Sequence, residues 1–88
     1  MAFGFTFSKR FRKSFGKFEQ KDKERILKKL DMLSVDPYHP SLRTKHYKSR
    51  EGSFEASVNM DIRIIWYYED DNTIYLSDVG HHDILKRY

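Results

Sequence analysis

The alternation of apolar and polar side chains along residues 54–66 constrains the fold more than any other feature, because alternation places the apolar set on one face of a strand. A turn at residues 59–61 would make one face of a hairpin wholly apolar, through the pairs Phe54 with Trp66, Ala56 with Ile64 and Val58 with Ile62. A turn of only two residues would instead oppose Val58 to Arg63. The sequence therefore predicts an antiparallel hairpin with the longer turn.

A second turn at residues 69–71 would add a third strand to this hairpin. It would pair Ile64 with Leu76, Trp66 with Ile74 and Arg63 with Ser77, giving an antiparallel meander with one apolar face. On the other face, Arg63 lies in the central strand beside Ser57. A buried arginine is costly unless it meets water, an anion or a carboxylate, here the diagonal Glu55. We expect this face of the sheet to be open.

The segments before the hairpin can cover its apolar face. Phenylalanines alternate along residues 3–7, which indicates a short strand. Ser8 is an expected helix N-cap, and apolar residues follow at helical spacing in residues 9–18. A second apolar stripe predicts a helix over residues 22–33, which ends before Pro37. The predicted fold is α+β: an N-terminal strand, two helices packed on one sheet face, and a C-terminal antiparallel meander.

Length and composition exclude several classes of protein. The 88 residues are expected to form one domain, residues 1–88. Since there is no cysteine, a disulfide framework, a thiolate metal site and a cysteine nucleophile are excluded. The apolar run at residues 62–68 is interrupted by Arg63 and is too short to span a bilayer, and the N-terminus lacks the pattern of a secretory signal. We expect a cytoplasmic protein without membrane contact.

Positive charge is concentrated in two segments of the chain. There are 17 Lys and Arg against 13 Asp and Glu, a net charge of +4, and most of the cations lie in residues 9–29 and in the predicted loop of residues 36–52. The candidates in this loop for contact with a nucleic-acid backbone are Arg43, Lys45, Lys48 and Arg50. Such clustering favours a polyanion or an acidic protein as partner, although a solvated surface has the same composition.

Residues suited to RNA cleavage follow a strand predicted to end at Gly80, beside the predicted strand that contains Arg63. Cleavage by the 2′-hydroxyl needs a group that accepts its proton, a cation for the phosphate and an acid for the leaving oxygen. Arg63, His82 and Tyr88 would supply these groups. Further candidates for proton transfer are His81, His39 and His46. A histidine pair at a solvent-facing strand exit is the alternative explanation.

No metal or cofactor site is indicated. His81, His82 and Asp83 are adjacent, and adjacent side chains of a strand point in opposite directions, which does not suit a metal ion. Phosphate-loop and dinucleotide glycine motifs are absent, and so is a nucleophile elbow.

The stretch MDIRIIWYYEDDNTIYLSDVGHHDILKRY, together with the order of elements, resembles the RelE/ParE superfamily of toxins from bacterial type II toxin–antitoxin pairs. The resemblance is nearest to the RelE and YafQ branches. The arginine strand of the family corresponds to residues 63–66, its strand exit to residues 79–82, and its C-terminal tyrosine to Tyr88. In the YafQ branch, a His-Pro-Leu element resembles residues 39–42, and an acidic residue matches Asp61.

The resemblance implies particular roles for these residues. Arg63 would bind phosphate, His82 would act in acid–base catalysis with Asp61 nearby, and Tyr88 would stack on a base or transfer a proton. At the outward strand positions where RelE has two lysines, this chain has Glu55 and Ser57, a departure that favours a YafQ-like scheme with histidines and Asp61 over the RelE mechanism. Ser57 is also an RNA-binding candidate.

The resemblance also implies a function. It is that of a ribosome-dependent, metal-independent endoribonuclease, an mRNA interferase that inhibits translation, with an antitoxin, the ribosome and mRNA as partners and with no cofactor. Two alternatives remain open: a ParE-like inhibitor of DNA gyrase, and a RelE-fold interaction module without toxicity. The gyrase inhibitor would not need acid–base groups at His82 and Tyr88, while Glu55 and Ser57 keep the interaction module open.

Overall fold

The computed structural model describes residues 2–86, with side chains described as far as Ile84, and it confirms the α+β fold. The elements in chain order are β1 (Gly4–Phe7), α1 (Lys9–Gly16), α2 (Gln20–Val35), β2 (Lys45–His46), β3 (Phe54–Ser57), β4 (Ile62–Asp70) and β5 (Thr73–His81). Two 3-10 helices complete them, at Pro40–Leu42 before β2 and at His82–Lys86 after β5. The first 3-10 helix and β2 lie within the segment predicted as loop.

The five strands form one sheet in the order β1-β5-β4-β3-β2. β1 is parallel to β5, and the other neighbours are antiparallel. The predicted β3–β4 register is confirmed, since Phe54 lies opposite Trp66, Ala56 opposite Ile64 and Ser57 opposite Arg63. Asn59 stabilises the turn between them, because its side-chain oxygen accepts hydrogen bonds from the backbone N–H groups of Asp61 and Ile62 at 2.8 and 2.7 Å.

The predicted β4–β5 register is wrong. The structure pairs Ile64 with Val79, Trp66 with Leu76 and Arg63 with Gly80. The connection is shorter than expected, because Asp70 lies directly opposite Thr73 and its carboxylate accepts a hydrogen bond from the Asn72 backbone N–H at 2.8 Å. Two register shifts, between Ile65 and Trp66 and between Tyr68 and Asp70, also interrupt the pairing. A uniform alternation could not predict them.

The shift beside Trp66 makes Ser77 an extra residue of β5, a β-bulge. Leu76 and Val79 both reach the core because of it, although they are three positions apart and would otherwise point to opposite faces. The bulge also keeps Asp78 away from the apolar core. Its Oδ1 instead accepts hydrogen bonds from the Ser14 hydroxyl at 3.0 Å and from the Val79 backbone N–H at 2.8 Å.

The two helices pack on the apolar face of the sheet, as predicted. α2 contributes Ile26, Leu30 and Leu33, and α1 contributes Phe11, all in one core with the inward residues of β3, β4 and β5. Ser8 is the N-cap of α1, as predicted, since its hydroxyl accepts a hydrogen bond from the Phe11 backbone N–H at 2.9 Å. No helix in the described part of the chain combines the length and the apolar character needed to cross a membrane.

The opposite face of the sheet is not fully open, contrary to the prediction. Tyr47 and Ile84 pack there on Ile65, and all three side chains are buried. Ile84 comes from the final 3-10 helix, which folds back over the end of β5. It lies so close to Gly80 that a Cβ added at Gly80 would collide with the Ile84 side chain. The sequence does not predict that Tyr47 and Ile84 cover this face, because they are single residues from a loop and from the C-terminal segment and belong to no periodic apolar pattern.

The contact between Gly80 and Ile84 can be tested by substitution. Gly80→Ala should lower the free energy of unfolding by about 1–3 kcal/mol, because the new methyl group must displace Ile84. Gly16→Ala is the matched control, since an added Cβ meets nothing within 4 Å there. It should stabilise the protein by about 0.5–1 kcal/mol, because alanine favours helix. Urea unfolding measures both, and equal effects of the two substitutions would contradict the close packing.

Candidate functional site

Three cations from separate elements meet at the end of the sheet where β4 begins. Lys29 of α2, Arg43 after the first 3-10 helix and Arg63 of β4 line a cavity of about 310 Å³. Its polar lining also includes Ser41, Ser57 and Asn59. We call this cavity the basic pocket. Its charge and its hydroxyl and amide groups suit a phosphate or another oxyanion.

The turn between β3 and β4 fixes the position of the Arg63 guanidinium. Its Nη1 donates hydrogen bonds to the backbone carbonyls of Asn59 at 2.6 Å and Ile62 at 3.2 Å. The expected alternative partner, Glu55, pairs with Lys45 instead, with 3.6 Å between Oε1 and Nζ. Arg63 is therefore anchored by neutral carbonyls, and no carboxylate among the described side chains pairs with its positive charge at the pocket.

Local backbone geometry brings the other two cations to the pocket. Arg43 has φ 49° and ψ 42°, in the left-handed region that non-glycine residues rarely occupy, and it ends the 3-10 helix Pro40–Leu42. Strained residues of this kind are often found at functional sites. Lys29 reaches the same helix, where its Nζ donates to the Ser41 carbonyl at 3.4 Å. The sequence predicted Arg43, Ser57 and Arg63 as candidate site residues but missed Lys29 and Ser41. Lys29 lies in an amphipathic helix and Ser41 in a predicted loop, and no sequence pattern indicates that these two elements meet.

His81 and Asp61 form a second polar cluster, at the end of β5. His81 Nδ1 lies 2.6 Å from Asp61 Oδ2, and both side chains are more than half exposed. The ring also packs against Phe18, with 5.3 Å between the ring centroids. The β4–β5 register places His81 opposite Ile62, the neighbour of Asp61, so the contact follows from the strand pairing. The imidazole is thus held in one orientation by a carboxylate and an aromatic ring.

The turn at residues 59–61 joins the two clusters. Its Asn59 carbonyl binds the Arg63 guanidinium, and its Asp61 carboxylate binds the His81 ring. The guanidinium and the imidazole are therefore both anchored to one short turn at the end of the sheet. His81, opposite Ile62, lies on the helix face, and Arg63 lies on the other face. A further cavity, of about 240 Å³, adjoins His81 and has Lys17 and Asp83 in its lining.

The remaining predicted catalytic residues are dispersed. His82 is exposed at the start of the final 3-10 helix, two positions after Gly80, which lies opposite Arg63. His39 caps the first 3-10 helix, where its Nδ1 accepts a hydrogen bond from the backbone N–H of Ser41, a pocket residue, at 3.1 Å. Tyr88 lies outside the described residues.

His46 lies in the edge strand β2, with its ring 4.8 Å from that of Phe54. Three strand spacings separate β2 from β5, roughly 14 Å, so His46 is not brought to His81.

The predicted RNA-binding residues are also divided. Arg43 and Ser57 line the basic pocket, while Lys45 is held by Glu55 on β3. Lys48 is exposed in the turn after β2. Arg50 borders a different cavity, beside Tyr67 and Tyr75.

Two groups with a displaced pKa lie at the other end of the sheet. Burial raises the pKa of Tyr68, and the neighbouring Tyr38 and Asp36 raise it further. The backbone N–H of Asn72 lowers the pKa of Asp70, since it stabilises the ionised carboxylate. Neither group borders the basic pocket, and both shifts are explained by local structure.

No family model matches the sequence, and no curated protein matches it. The fold does match solved structures. The E. coli DinJ–YafQ toxin–antitoxin complex aligns with a TM-score of 0.77 and 16% identity, over 97% of this chain and 98% of the other. The toxin–antitoxin complex RelBE2 of Mycobacterium tuberculosis aligns with 0.76 and 20%, over 93% and 100%. A double mutant of the E. coli toxin RelE in the free state aligns with a TM-score of 0.70 and 18% identity, over 91% of this chain and 83% of the other. At these identities the likeness is one of fold, and the fold of this chain is that of the RelE and YafQ toxins, as the resemblance implied.

Proposed function

We propose that the protein is the toxin of a type II toxin–antitoxin pair and that it inhibits translation by cutting mRNA on the ribosome, without a metal ion. The observation that carries this proposal is the turn at residues 59–61, which holds the Arg63 guanidinium on one side and the His81 imidazole, through Asp61, on the other. A cation for the phosphate and a base for the 2′-hydroxyl are two of the three requirements of this cleavage, and the turn would support both.

The basic pocket would bind the phosphate at the cleaved position. Negative charge grows on the phosphate oxygens as the 2′-oxygen attacks phosphorus, and Arg63, Arg43 and Lys29 offset it. Arginine is well suited to this task, since its planar guanidinium can donate two parallel hydrogen bonds to a phosphate. These three cations come from different elements, and their positive charge would compensate for the lysines that RelE has at the strand positions of Glu55 and Ser57.

His81 would accept the proton of the 2′-hydroxyl. An ionised Asp61 carboxylate can only accept a hydrogen bond, so it holds the ring hydrogen on Nδ1 and leaves the lone pair on Nε2. The 2′-oxygen then attacks phosphorus, the bond to the 5′-oxygen breaks, and a 2′,3′-cyclic phosphate forms. An acid must give a proton to the leaving 5′-oxygen, and His82 and Tyr88 are the candidates for this role.

The proposed antitoxin partner is a small protein encoded beside this one, with an acidic or amphipathic segment. Two of the three solved structures described above are toxin–antitoxin complexes. An apolar groove between α1 and α2, of about 130 Å³, offers one surface for such a segment. It is lined by Phe7, Phe11, Phe15, Leu27, Leu30 and Arg12. Leu27 is 50% exposed and Phe7, in the same lining, is 38% exposed, so the groove presents apolar surface to solvent.

Arg63 provides the first test. Arg63→Ala should lower the rate of mRNA cleavage by about 10²–10³-fold, because the negative charge that develops on the phosphate oxygens loses its main hydrogen-bond donor. Arg63→Lys should lose less, since it keeps the charge without the paired hydrogen bonds. The measurement is the mapping of mRNA 5′ ends after induction in bacteria, with circular dichroism as the control for folding. Intact mRNA with double-strand breaks in DNA would indicate a gyrase inhibitor, and unimpaired growth an interaction module.

The two histidines can be separated by single substitutions. His81→Ala should lower the single-turnover cleavage rate on programmed ribosomes by about 10²-fold or more, as expected for loss of a general base. Asp61→Asn should lower it by a smaller factor and leave ribosome binding unchanged, because Asp61 is a positioning residue. If His82→Ala abolishes cleavage while His81→Ala has no effect, the assignment of the base to His81 is wrong.

The antitoxin surface is tested by Leu27→Glu. This substitution should retain toxicity, because Leu27 lies outside both polar clusters, but it should abolish rescue by co-expression of the neighbouring small protein. Lys28→Glu, at the next exposed position of α2, is the matched control and should still be rescued. Rescue of both variants would show that the groove is not the surface that the antitoxin covers.

A further inference from the structure

A second cationic cavity lies on the sheet face opposite the helices. It has a volume of about 580 Å³, and we call it the tyrosine cavity. Its lining includes Lys9 and Arg10 of α1, Arg50 of the loop, Tyr67 and Tyr75 of the sheet, and Ser77. Tyr67 lies four residues beyond Arg63 on β4 and on the same face, roughly 13 Å away along the strand. The tyrosine cavity is therefore separate from the basic pocket.

The first turn of α1 has the wrong charge for its position. The N-terminus of a helix carries a partial positive charge, which favours acidic side chains, yet this turn contains no acidic residue and begins with Lys9 and Arg10. Ser8 caps the helix, but its hydroxyl is already used, since it accepts from Phe11 N–H and donates to the Ser77 carbonyl. A bound anion would relieve this unfavourable arrangement.

Ser77 supplies an independent indication of a ligand. The residue is 7% exposed, and its Oγ is buried without a hydrogen-bond partner in the described part of the chain. Leaving a buried hydroxyl unpaired costs free energy, so such a group calls for an explanation. The β-bulge at Ser77 sets this residue apart from the regular ladder, in the lining of the tyrosine cavity. Bulges are frequent where a side chain is re-aimed beside a functional site.

Two tyrosines at the cavity select the kind of anion. The rings of Tyr67 and Tyr75 are stacked, with 4.9 Å between centroids and 22° between planes, and both residues are half-buried. Aromatic faces beside cations bind the bases and phosphates of single-stranded nucleic acids. Arg10 and Arg50 add positive charge to the rim, in addition to contacts of their own.

We propose that the tyrosine cavity is a second RNA-binding site, in which Lys9 and the Ser77 hydroxyl bind a backbone phosphate and Tyr67 or Tyr75 stacks on an unpaired base. The choice of RNA rests on the proposed function, whereas the phosphate site rests on the structure alone. Arg63 and Tyr67 lie on the same sheet face, and Ile65 with its cover of Tyr47 and Ile84 lies between them, so an RNA bound at both sites would pass over this cover. The site thus holds the RNA roughly 13 Å from the cleaved bond, the length of four residues of β4.

The test measures binding of an RNA that cannot be cut. The probe is a fluorescent octamer of 2′-O-methyl uridylate, and fluorescence anisotropy is recorded at low salt. Lys9→Glu should weaken binding about tenfold, as expected for loss of a charge-assisted hydrogen bond. Its melting temperature should not fall, because an acidic side chain suits the first turn of a helix. Lys21→Glu, in the first turn of α2, makes the same change of charge outside the cavity and should have little effect.

Two further variants test the other contacts. Ser77→Ala should weaken binding about fivefold without loss of stability, because it removes a hydroxyl that has no partner in the described protein. Tyr67→Phe keeps an aromatic face and should bind as the wild type does, whereas Tyr67→Ala should bind about tenfold more weakly.

Three outcomes would overturn the inference: equal weakening by Lys9→Glu and Lys21→Glu, unchanged binding in Ser77→Ala, or failure of the octamer to compete better than uridine monophosphate or inorganic phosphate. The last outcome would assign the cavity to a free nucleotide or ion. The proposed function fails separately, since a lack of mRNA cleavage by the wild type leaves these binding measurements intact.

Discussion

The alternation of side chains along β4 is the constraint on which the rest of the structure depends. Ile62, Ile64 and Trp66 face the helices and form the centre of the core, so Arg63 must face the other way. The same apolar pairs with β3 require a turn of three residues at 59–61, and a turn one residue shorter or longer would invert one strand. That turn then provides the Asn59 carbonyl for Arg63 and the Asp61 carboxylate for His81. Core packing and the candidate site are therefore set by one register.

The sequence predicted the elements that depend on this register and missed those that depend on local irregularity. The pairing of Phe54 with Trp66 followed from apolar matching, and the capping of α1 by Ser8 followed from its side chain. The β4–β5 register could not be predicted, because the bulge at Ser77 breaks the alternation from which register is inferred. The short strand β2 escaped prediction for a related reason, since two residues have no period.

The candidate site divides in the same way. Arg63 was predicted from its place in the central strand, and Asp61 from the resemblance to the YafQ branch, but the contact of His81 with Asp61 needed the true β4–β5 register. Lys29 was hidden among the cations of an amphipathic helix, and only the packing of α2 brings it to Arg63. The position of Arg43 at the pocket depends on a left-handed backbone conformation, and an arginine in the sequence does not predict that conformation. Sequence patterns thus identify candidate functional residues within one element, while tertiary packing decides which elements bring their residues to the same site.

The distribution of charge gives the candidate site its character. Glu55 lies on the same sheet face as Arg63, and Lys45 from the edge strand pairs with it. The cations of the basic pocket instead come from α2, a loop and β4, so they converge only in the folded protein. The most direct test is a structure of the protein with an uncleavable mRNA in the ribosome. If Arg63 and His81 act as proposed, a phosphate will lie within hydrogen-bond reach of the Arg63 guanidinium, and the adjacent 2′-oxygen will lie about 3 Å from His81 Nε2. An mRNA bound elsewhere, with His81 turned away from it, would contradict the proposed roles of both residues.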